Sequence, residues 1–413
     1  MTIRHVSTAA RYAFTAALAA VFSVHLAKGV YFLAVERPAQ GIADLRNRRV
    51  ENAYFLDRIS PLSQQFLAIH PGGAARWELG ADTNWSHGRQ TANGALPPWT
   101  YPLQLAVALQ GREPLARAYL LLLDLVALAV VGRLAYARIA GRGADRAATA
   151  LVILSPLAIG AVDNAMTQGQ NALLVNAGLA LVLAALVRRP EWGRAVGSGV
   201  AFAVAMIKPS SAVLFALPIA ARRRWLLLAT SAGVLGVATL VCSWWLRQPV
   251  LFQWRQFEQL SRFVVSEGAN PALNALAAGT SARIAREVFG VAGVAIAGAA
   301  VYRLRRAPIF VLFAVTAVLS RLFTYHRAYD DVLLGFLMIE LAGRAWSPGR
   351  SRRWLFAWFA GGVSLWLPYS MYTSRWAQEC QLVTWCGLAM ALVASEMCER
   401  GESNPQSLTA TGS

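Results

Sequence analysis

Residues 168–225 read QGQNALLVNAGLALVLAALVRRPEWGRAVGSGVAFAVAMIKPSSAVLFALPIAARRRW and decide the fold class. The stretch contains three apolar runs that are as long as a bilayer crossing or nearly so, since a transmembrane helix needs about 20 apolar residues. Dense arginine clusters at 188–189 and 222–224 alternate with sparse polar groups at 168–171 and at Lys208. By the positive-inside rule the arginine clusters face the cytoplasm, so the other polar groups collect at the extracytoplasmic face. Polar residues gathered at one membrane interface indicate a functional site there.

The composition of the whole chain is that of a membrane domain. Hydrophobic residues make up 56% of the 413 residues and charged residues only 15%, whereas a soluble domain carries about 25% charged residues. Apolar runs recur from residue 12 to residue 397. We therefore predict an all-α polytopic protein of the bacterial inner (cell) membrane, in which residues 1–397 form a single integral membrane domain. Residues 398–413 are polar and are predicted to be a disordered cytoplasmic tail.

The net charge of +18 does not indicate nucleic-acid binding. The basic residues lie mainly in short turns between apolar runs, where membrane topology and anionic headgroups require them. No basic groove or aromatic RNA-binding motif is present, so nucleic acid is not an expected partner. The four cysteines show neither metal-ligand nor paired spacing and read as small apolar fillers.

The apolar segments predict a bundle of about 11–13 transmembrane helices. They lie at about 12–34, 98–110, 115–137, 147–163, 171–187, 195–207, 210–221, 225–246, 284–302, 308–323, 331–343, 354–371 and 381–397. The first is too long and too polar in its flanks for a cleaved signal peptide, so we expect a retained span. The arginine-rich turns in the second half of the chain are assigned to the cytoplasm, and so is the N-terminus. The two assignments disagree by one membrane crossing, so one of the segments must be missing or must not cross. The segment 98–110, short and preceded by two prolines, is the candidate for a partial span that turns back.

The longest connection, residues 35–97, is predicted to be an extracytoplasmic loop. It is the most acidic connection of the chain, and long ordered loops tend to bind ligands or act as lids. Within it, residues 41–58 have the pattern of an amphipathic helix that lies along the interface, with Leu45, Val50 and Tyr54 on one face.

Asp44 is the candidate general base, because an extracytoplasmic carboxylate near the membrane surface can accept a proton from an acceptor hydroxyl. The alternative is a loop carboxylate paired with a nearby arginine. Asp57, Asp163 and Asp330 are secondary candidates. Asp124 lies inside an apolar run, where an ionised carboxylate costs about 2.5–3.5 kcal/mol, and is expected to face protein.

Several cations and amides share the predicted outer face with this loop. The connection 320–331 holds Arg321, His326, Arg327 and Asp330 together with two tyrosines, residue types that suit an anionic headgroup and a sugar. Lys208 either holds a phosphate or extends to the interface with its charged end in water. No histidine has a partner at zinc-ligand spacing, so a protein-bound metal is not expected.

These motifs, in this order, resemble glycosyltransferase family 87, which belongs to the GT-C class of integral membrane glycosyltransferases. The resemblance is carried by Ser155-Pro156, Gly169-Gln170-Asn171, Arg188-Arg189, Lys208-Pro209 and Arg223-Arg224-Trp225. Upstream, the run from Pro97 to Pro102 looks like the family's proline-rich entry to its second span, and Asp44 stands where the family places a first-loop aspartate. Downstream, Tyr325-His326 falls where the family has a histidine-containing outer loop.

The resemblance implies a GT-C-like fold and a polyprenyl-phosphate sugar as the donor substrate, with mannose as the expected sugar and a glycan or glycolipid as the acceptor. Asp44 would take the acceptor's proton in a single inverting displacement. Lys208, Arg321, His326 and Arg327 would stabilise the leaving phosphate, and Gln170 and Asn171 would help to bind the donor. No cofactor is expected, since the lipid phosphate replaces a nucleotide diphosphate.

A membrane carrier or flippase for a lipid-linked or anionic solute is the alternative. It accounts equally well for the hydrophobicity, the basic charge and Asp124. It does not account for the long acidic outer loop, and no inverted repeat is evident in the sequence.

Overall fold

The computed structural model describes residues 7–35, 42–58, 60–62, 96–188, 191–267, 282–324, 327–348, 352–372 and 374–402. In these ranges the chain is helical and contains no strand, which confirms the all-α prediction. The α-helices are α1 (Thr8–Ala34), α2 (Ala43–Leu56), α3 (Thr100–Gln104), α4 (Glu113–Ile139), α5 (Arg146–Leu157), α6 (Ala161–Gln168), α7 (Ala172–Val187), α8 (Trp192–Ala205), α9 (Pro209–Ala212), α10 (Ala216–Ala221), α11 (Trp225–Leu246), α12 (Val250–Glu267), α13 (Ala282–Arg303), α14 (Ile309–Phe323), α15 (Gly335–Ala345), α16 (Arg352–Trp366) and α17 (Arg375–Glu402). Short 3-10 helices cover Val213–Phe215, Ala328–Leu334 and Tyr369–Tyr372.

Local sequence explains where several helices begin. The Ser7 hydroxyl accepts a hydrogen bond from the backbone N–H of Ala10 at the start of α1, and Asp145 does the same for Ala148 at the start of α5. Both satisfy N–H groups that have no partner within the helix. Pro209 occupies the first position of α9, where its missing N–H costs nothing.

Four of the described helices are long and apolar enough to cross a membrane alone, namely α1, α4, α11 and most of α17. Helices α5 and α6 pass the same test together as a pair bent by 45°. The chain is therefore polytopic, as predicted, while the number of 11–13 complete spans stays a prediction. The predicted segment 98–110 forms only the five-residue helix α3, about 8 Å long, so it does not cross the membrane.

The centre of the bundle is apolar and tightly packed. Phe215, Phe313 and Phe336, all fully buried, form a cluster with ring centroids 5.2–5.7 Å apart. The outward faces are apolar as well. Leu240 and Trp244 of α11, for example, are 63% and 74% exposed. An apolar exterior around an apolar core is expected where the solvent is lipid.

Helices α7, α8 and α14 connect two chemically different ends of the bundle. We call one the arginine end, comprising Arg138, Arg188, the turn 222–224 and residues 303–308. Its turns are joined by hydrogen bonds from Arg224 to the Arg188 carbonyl (3.0 Å) and from Arg222 to the Ala307 carbonyl. The other, the Asp44 end, comprises Asp44, Gln170, Lys208 and Asp330. Helix α7 has 16 residues, so about 24 Å separates the two ends along its axis.

A buried ion network fixes the long helices at the arginine end. The Glu340 carboxylate of α15 accepts hydrogen bonds from Arg138 of α4 (2.8 Å) and from Arg344 (2.6 Å), and Arg344 also contacts Glu396 of α17. Removing one member of such a network leaves a charge buried without compensation, at a cost of about 3–5 kcal/mol. The network therefore sets how α4, α15 and α17 pack.

Helix α2 confirms that a helix lies within the loop 35–97, although residues 63–95 lie outside the described part of the chain. Helix α17 continues to Glu402, so it includes the first five residues of the predicted tail 398–413.

Candidate functional site

The turn at Gly169 and Gln170 holds the start of α2 against the end of α6. Gly169 ends α6 with φ +67°, and a Cβ at this position would lie 2.6 Å from the Cβ of Leu45. Only glycine allows both this conformation and this approach. The Ile42 N–H donates to the Thr167 carbonyl at 2.6 Å and closes the contact. The Gly169-Gln170 pair is therefore the element that brings the first loop to the bundle.

The contact places Gln170 on Asp44. The Gln170 Nε2 donates a hydrogen bond to Asp44 Oδ2, and both side chains are buried, with Asp44 only 6% exposed. Asp44 lies in the first turn of α2, where the positive end of the helix dipole favours a carboxylate. The positive charges of Lys208 and Arg48 also act on Asp44. The predicted base and the predicted amide are thus brought together from positions 126 residues apart.

Lys208 lies beside this pair, at the start of α9. Its Nζ lies 2.6 Å from Asp330 Oδ1 and 4.2 Å from the centroid of the Tyr329 ring. Burial lowers the pKa of the Lys208 ammonium, while the negative charge of Asp330 opposes that shift. Only 14% of the Lys208 side chain is exposed, whereas a lysine extended into the headgroup region would be largely exposed. Lys208 is therefore held in a defined position at the Asp44 end by its contact with Asp330.

The proline-rich run 97–102 supports the backbone next to Lys208. The Trp99 indole N–H donates to the Met206 carbonyl at 2.9 Å, and the Thr100 hydroxyl lies 3.4 Å from the Ile207 carbonyl. Helix α3, which the sequence identifies only as a possible partial span, thus has a positioning role at the Asp44 end.

Asp330 holds this cluster together through three groups. Its Oδ1 accepts from Lys208 and from the Ser211 hydroxyl (3.3 Å), and its Oδ2 accepts from the backbone N–H of Arg327 (3.0 Å). A carboxylate with these partners is suited to fix a lysine and a loop. It is less suited to take a proton from a substrate, although it was a secondary candidate for that role.

Two of the other predicted cations, Arg321 and Arg327, lie at Asp331 and Asp330. Arg321 Nε donates to Asp331 Oδ1 at 2.5 Å, and the positive charge of Arg327 acts on Lys208. Burial raises the pKa of Asp331 to about 6, against the effect of the Arg321 guanidinium. His326 lies outside the described residues. Asn171 directly follows Gln170 and is half-buried just before α7.

Two secondary candidates lie away from this cluster. Asp163 Oδ2 pairs with His25 Nδ1 and with Lys28 Nζ, each at 3.0 Å, and the other nitrogen of His25 contacts the Trp366 carbonyl at 2.9 Å. Asp163 therefore ties α1 to α6 and to the end of α16. Asp57 is exposed at the C-terminal end of α2, thirteen residues and about 20 Å along the helix from Asp44.

A second buried polar cluster was not predicted from the sequence. Glu51 accepts hydrogen bonds from Arg48 (2.6 Å) and from Gln104 (3.2 Å), and the Asn52 amide donates to the Ala108 carbonyl (2.9 Å). Burial raises the pKa of Glu51, and the Arg48 guanidinium opposes the rise. The helical spacing of Asp44, Arg48 and Glu51 was the available signal, since residues three and four apart share a helix face. This polar face docks α2 on α3.

The structure defines a class of protein: a polytopic helical membrane protein with a buried cluster of acids, amides and cations at one end of its bundle. The model of glycosyltransferase family 87 matches residues 97–324, just over half of the chain. The chain therefore belongs to glycosyltransferase family 87, and it is a membrane glycosyltransferase. No curated protein and no solved structure matches the chain. The match includes Gln170, Lys208 and Arg321, whereas Asp44 precedes it and Asp330 follows it. It favours the enzyme over the carrier alternative.

Proposed function

We propose that this protein transfers a sugar, mannose in the first instance, from a polyprenyl-phosphate donor to a glycan or glycolipid acceptor at the extracytoplasmic face, with inversion. The observation that carries the proposal is the cluster at the Asp44 end. It combines a carboxylate bonded to Gln170 with the Lys208 ammonium group paired to Asp330, and the positive-inside rule predicts that it lies at the face opposite the arginine end.

Asp44 is the proposed general base. The acceptor hydroxyl oxygen forms a bond to the anomeric carbon while its proton passes to the Asp44 carboxylate. The bond between the anomeric carbon and the phosphate oxygen breaks, and polyprenyl phosphate leaves with the electron pair. Gln170 contacts Oδ2 and orients the carboxylate towards the acceptor. The base must lie within hydrogen-bond reach of the hydroxyl, so this orientation matters as much as the charge.

Lys208 is the proposed contact to the donor phosphate. A lysine ammonium has three N–H donors, and Asp330 occupies one of them at 2.6 Å. The leaving phosphate gains negative charge as the bond breaks, so a fixed cation stabilises the transition state more than the bound donor. Arg321 and Arg327 belong to the same cluster and are the further proposed cations, together with His326. Gln170 and Asn171 are proposed to help bind the donor.

The lipid-linked donor fits the position of the site. Its polyprenyl chain would remain in the bilayer while its phosphate reaches the end of the bundle. This donor carries its own leaving group, so we propose that no cofactor takes part.

Transfer of radiolabelled mannose from polyprenyl-phosphate mannose, measured with the purified protein in proteoliposomes, tests the proposal. Label should enter the glycolipid fraction with the wild type, and Asp44→Asn should abolish transfer because an amide cannot take the proton. Asp57→Asn is the matched control, since it makes the same change in the same helix at an exposed position, and it should retain activity.

Two results would contradict the proposal. If Asp44→Asn keeps near-normal turnover while Asp163→Asn or Asp330→Asn is inactive, the base is a different carboxylate. If the wild type transfers label from a nucleotide-linked sugar and not from the lipid-linked one, the donor class is wrong.

A further inference from the structure

A large cavity opens at the arginine end, far from the proposed catalytic cluster. Its volume is about 900 Å³, and it lies between the end of α4, the turn before α8, the turn before α11 and the start of α14. Pro308 and Ile309 form part of its wall. The positive-inside rule places this end of the bundle at the cytoplasm.

The lining of the cavity is strongly basic. Its charged residues are five arginines and one glutamate, namely Arg138, Arg142, Arg222, Arg223, Arg224 and Glu191. The Glu191 carboxylate is itself paired with Arg194 (2.7 Å), so it offsets little of the positive charge. Such a set of guanidinium groups matches the geometry of a phosphate, which accepts paired N–H···O bonds.

Arg138 offers a specific donor in this lining. Its side chain is buried, with 6% exposed, and Glu340 holds its Nε and Nη2 at 2.8 and 3.2 Å. Its Nη1 is buried and has no hydrogen-bond partner among the residues that the structure describes. A buried N–H group without a partner costs about 1–3 kcal/mol, so the Arg138 guanidinium keeps unsatisfied hydrogen-bonding capacity beside the cavity.

An apolar groove adjoins the basic cavity. This second cavity, of about 840 Å³, shares Ala137 and Glu191 with the first and extends between α4 and α7. Part of its wall is apolar and includes Val130, Leu134 and Ala184. Three arginines also line this groove, namely Arg133, Arg188 and Arg194. A basic cavity beside a partly apolar groove suits a molecule with an anionic head and a hydrocarbon chain.

Exposed tryptophans mark the same level of the bundle. Trp192 and Trp225, both in the lining of the basic cavity, are 73% and 60% exposed. Tryptophan is enriched at the depth of the lipid headgroups. The cavity therefore lies where headgroups are found and not in bulk solvent.

We propose that this cavity binds the phosphate headgroup of an anionic phospholipid of the cytoplasmic leaflet, with one of its acyl chains in the groove between α4 and α7. Anionic lipids give this leaflet its negative surface potential, so they are present in the bilayer next to the cavity. The proposal does not depend on the proposed donor or acceptor, since about 24 Å of α7 separates the two sites.

Lipid binding to the purified, delipidated protein tests this proposal by native mass spectrometry in detergent. Phosphatidylglycerol is titrated and compared with phosphatidylcholine of the same acyl chains. The wild type should bind one molecule of phosphatidylglycerol at least tenfold more tightly, by about 1.4 kcal/mol, than it binds phosphatidylcholine. In the double variant Arg142→Gln/Arg223→Gln, which changes two exposed arginines of the lining, affinity should fall about tenfold or more, since each arginine near an anionic headgroup contributes about a fivefold factor.

The matched control is Arg305→Gln/Arg306→Gln. It removes the same charge at the same end of the bundle from residues that do not line the cavity, and it should retain the wild-type affinity. Ala184→Trp, a change at a half-buried groove residue, should weaken binding of the lipid by filling the place of its acyl chain.

Three results would overturn the proposal. Equal losses in the two double variants would show general attraction to positive charge and no site. Equal affinity for phosphatidylcholine would exclude selection of an anionic headgroup. Displacement of the lipid by an equal concentration of glycerol 3-phosphate would assign the cavity to a soluble phosphate compound.

Discussion

The pair formed by Lys208 and Asp330 allows the proposed phosphate contact to be separated from a structural role. The perturbation consists of Lys208→Met, which keeps the length of the side chain and removes its charge, Asp330→Asn, and the two changes combined. In the wild type the ammonium lies 2.6 Å from Asp330 Oδ1, and the Asp330 side chain is 1% exposed. A purely structural lysine and a catalytic lysine predict different results for the combined variant.

The expected effect on stability follows from burial. Lys208→Met removes the ammonium group that is paired with the buried Asp330 carboxylate, and breaking a buried ion pair costs about 3–5 kcal/mol. The combined variant removes both charges. It should regain most of that loss, because a buried pair replaced by neutral groups of similar size is often close to neutral in stability.

The expected effect on activity is different. If Lys208 contacts the donor phosphate, both Lys208→Met and the combined variant lose a charge-assisted hydrogen bond. Its value of about 1.5–3 kcal/mol corresponds to a ten- to more than hundredfold loss in kcat/KM for the donor. Stability should therefore return in the combined variant while activity does not.

The assay combines thermal unfolding in detergent with transfer kinetics in proteoliposomes for all four proteins. Recovery of both stability and kcat/KM in the combined variant would refute the phosphate contact, because Lys208 would then serve only to neutralise Asp330. Unchanged kcat/KM in Lys208→Met alone would refute it as well.

Two further predictions concern the position of the cluster. Gly169→Ala should lower transfer strongly, because its Cβ would collide with Leu45 and displace Asp44 from Gln170. The control Gly141→Ala has a similar φ of +74° but no atom within 4 Å of its Cβ, so it should cost only about 1–2 kcal/mol of stability and leave kcat unchanged. Equal activity of the two variants in the transfer assay would contradict this account. In a cysteine-free background, a single cysteine at Asp57, which is exposed on the same helix as Asp44, should react with a maleimide that cannot cross the membrane when it is added from the periplasmic side. A cysteine at the exposed Arg223 should react only after permeabilisation, and the reverse pattern would contradict the assignment of the arginine end to the cytoplasm.

The order of apolar runs and polar turns was sufficient to predict most of the helices. Span length and the side of each arginine turn depend on the local sequence alone, since about 20 apolar residues match the bilayer and each arginine has the same preference wherever it occurs. The turn at Gly169 and the break at Lys208-Pro209 are equally local. The helix around Asp44 also follows from the spacing of its own side chains.

The composition of the candidate site depends on which helices pack together, and that is decided by the tertiary structure. Asp44, Asp163 and Asp330 are all carboxylates near predicted outer turns, and nothing local distinguishes them. The fold pairs Asp163 with His25 and Lys28. It pairs Asp330 with Lys208, 122 residues away, and Asp44 with Gln170.

The same holds for the two ends of the bundle. The sequence by itself determined that arginine turns alternate with polar turns along the chain, because charge and hydrophobicity are properties of each segment. The tertiary structure decided that two of those arginine segments, 138–142 and 222–224, line one cavity, because the contacts that form it join residues that are far apart in the chain. Pairing of buried charges is a property of packed neighbours, and the sequence does not specify those neighbours.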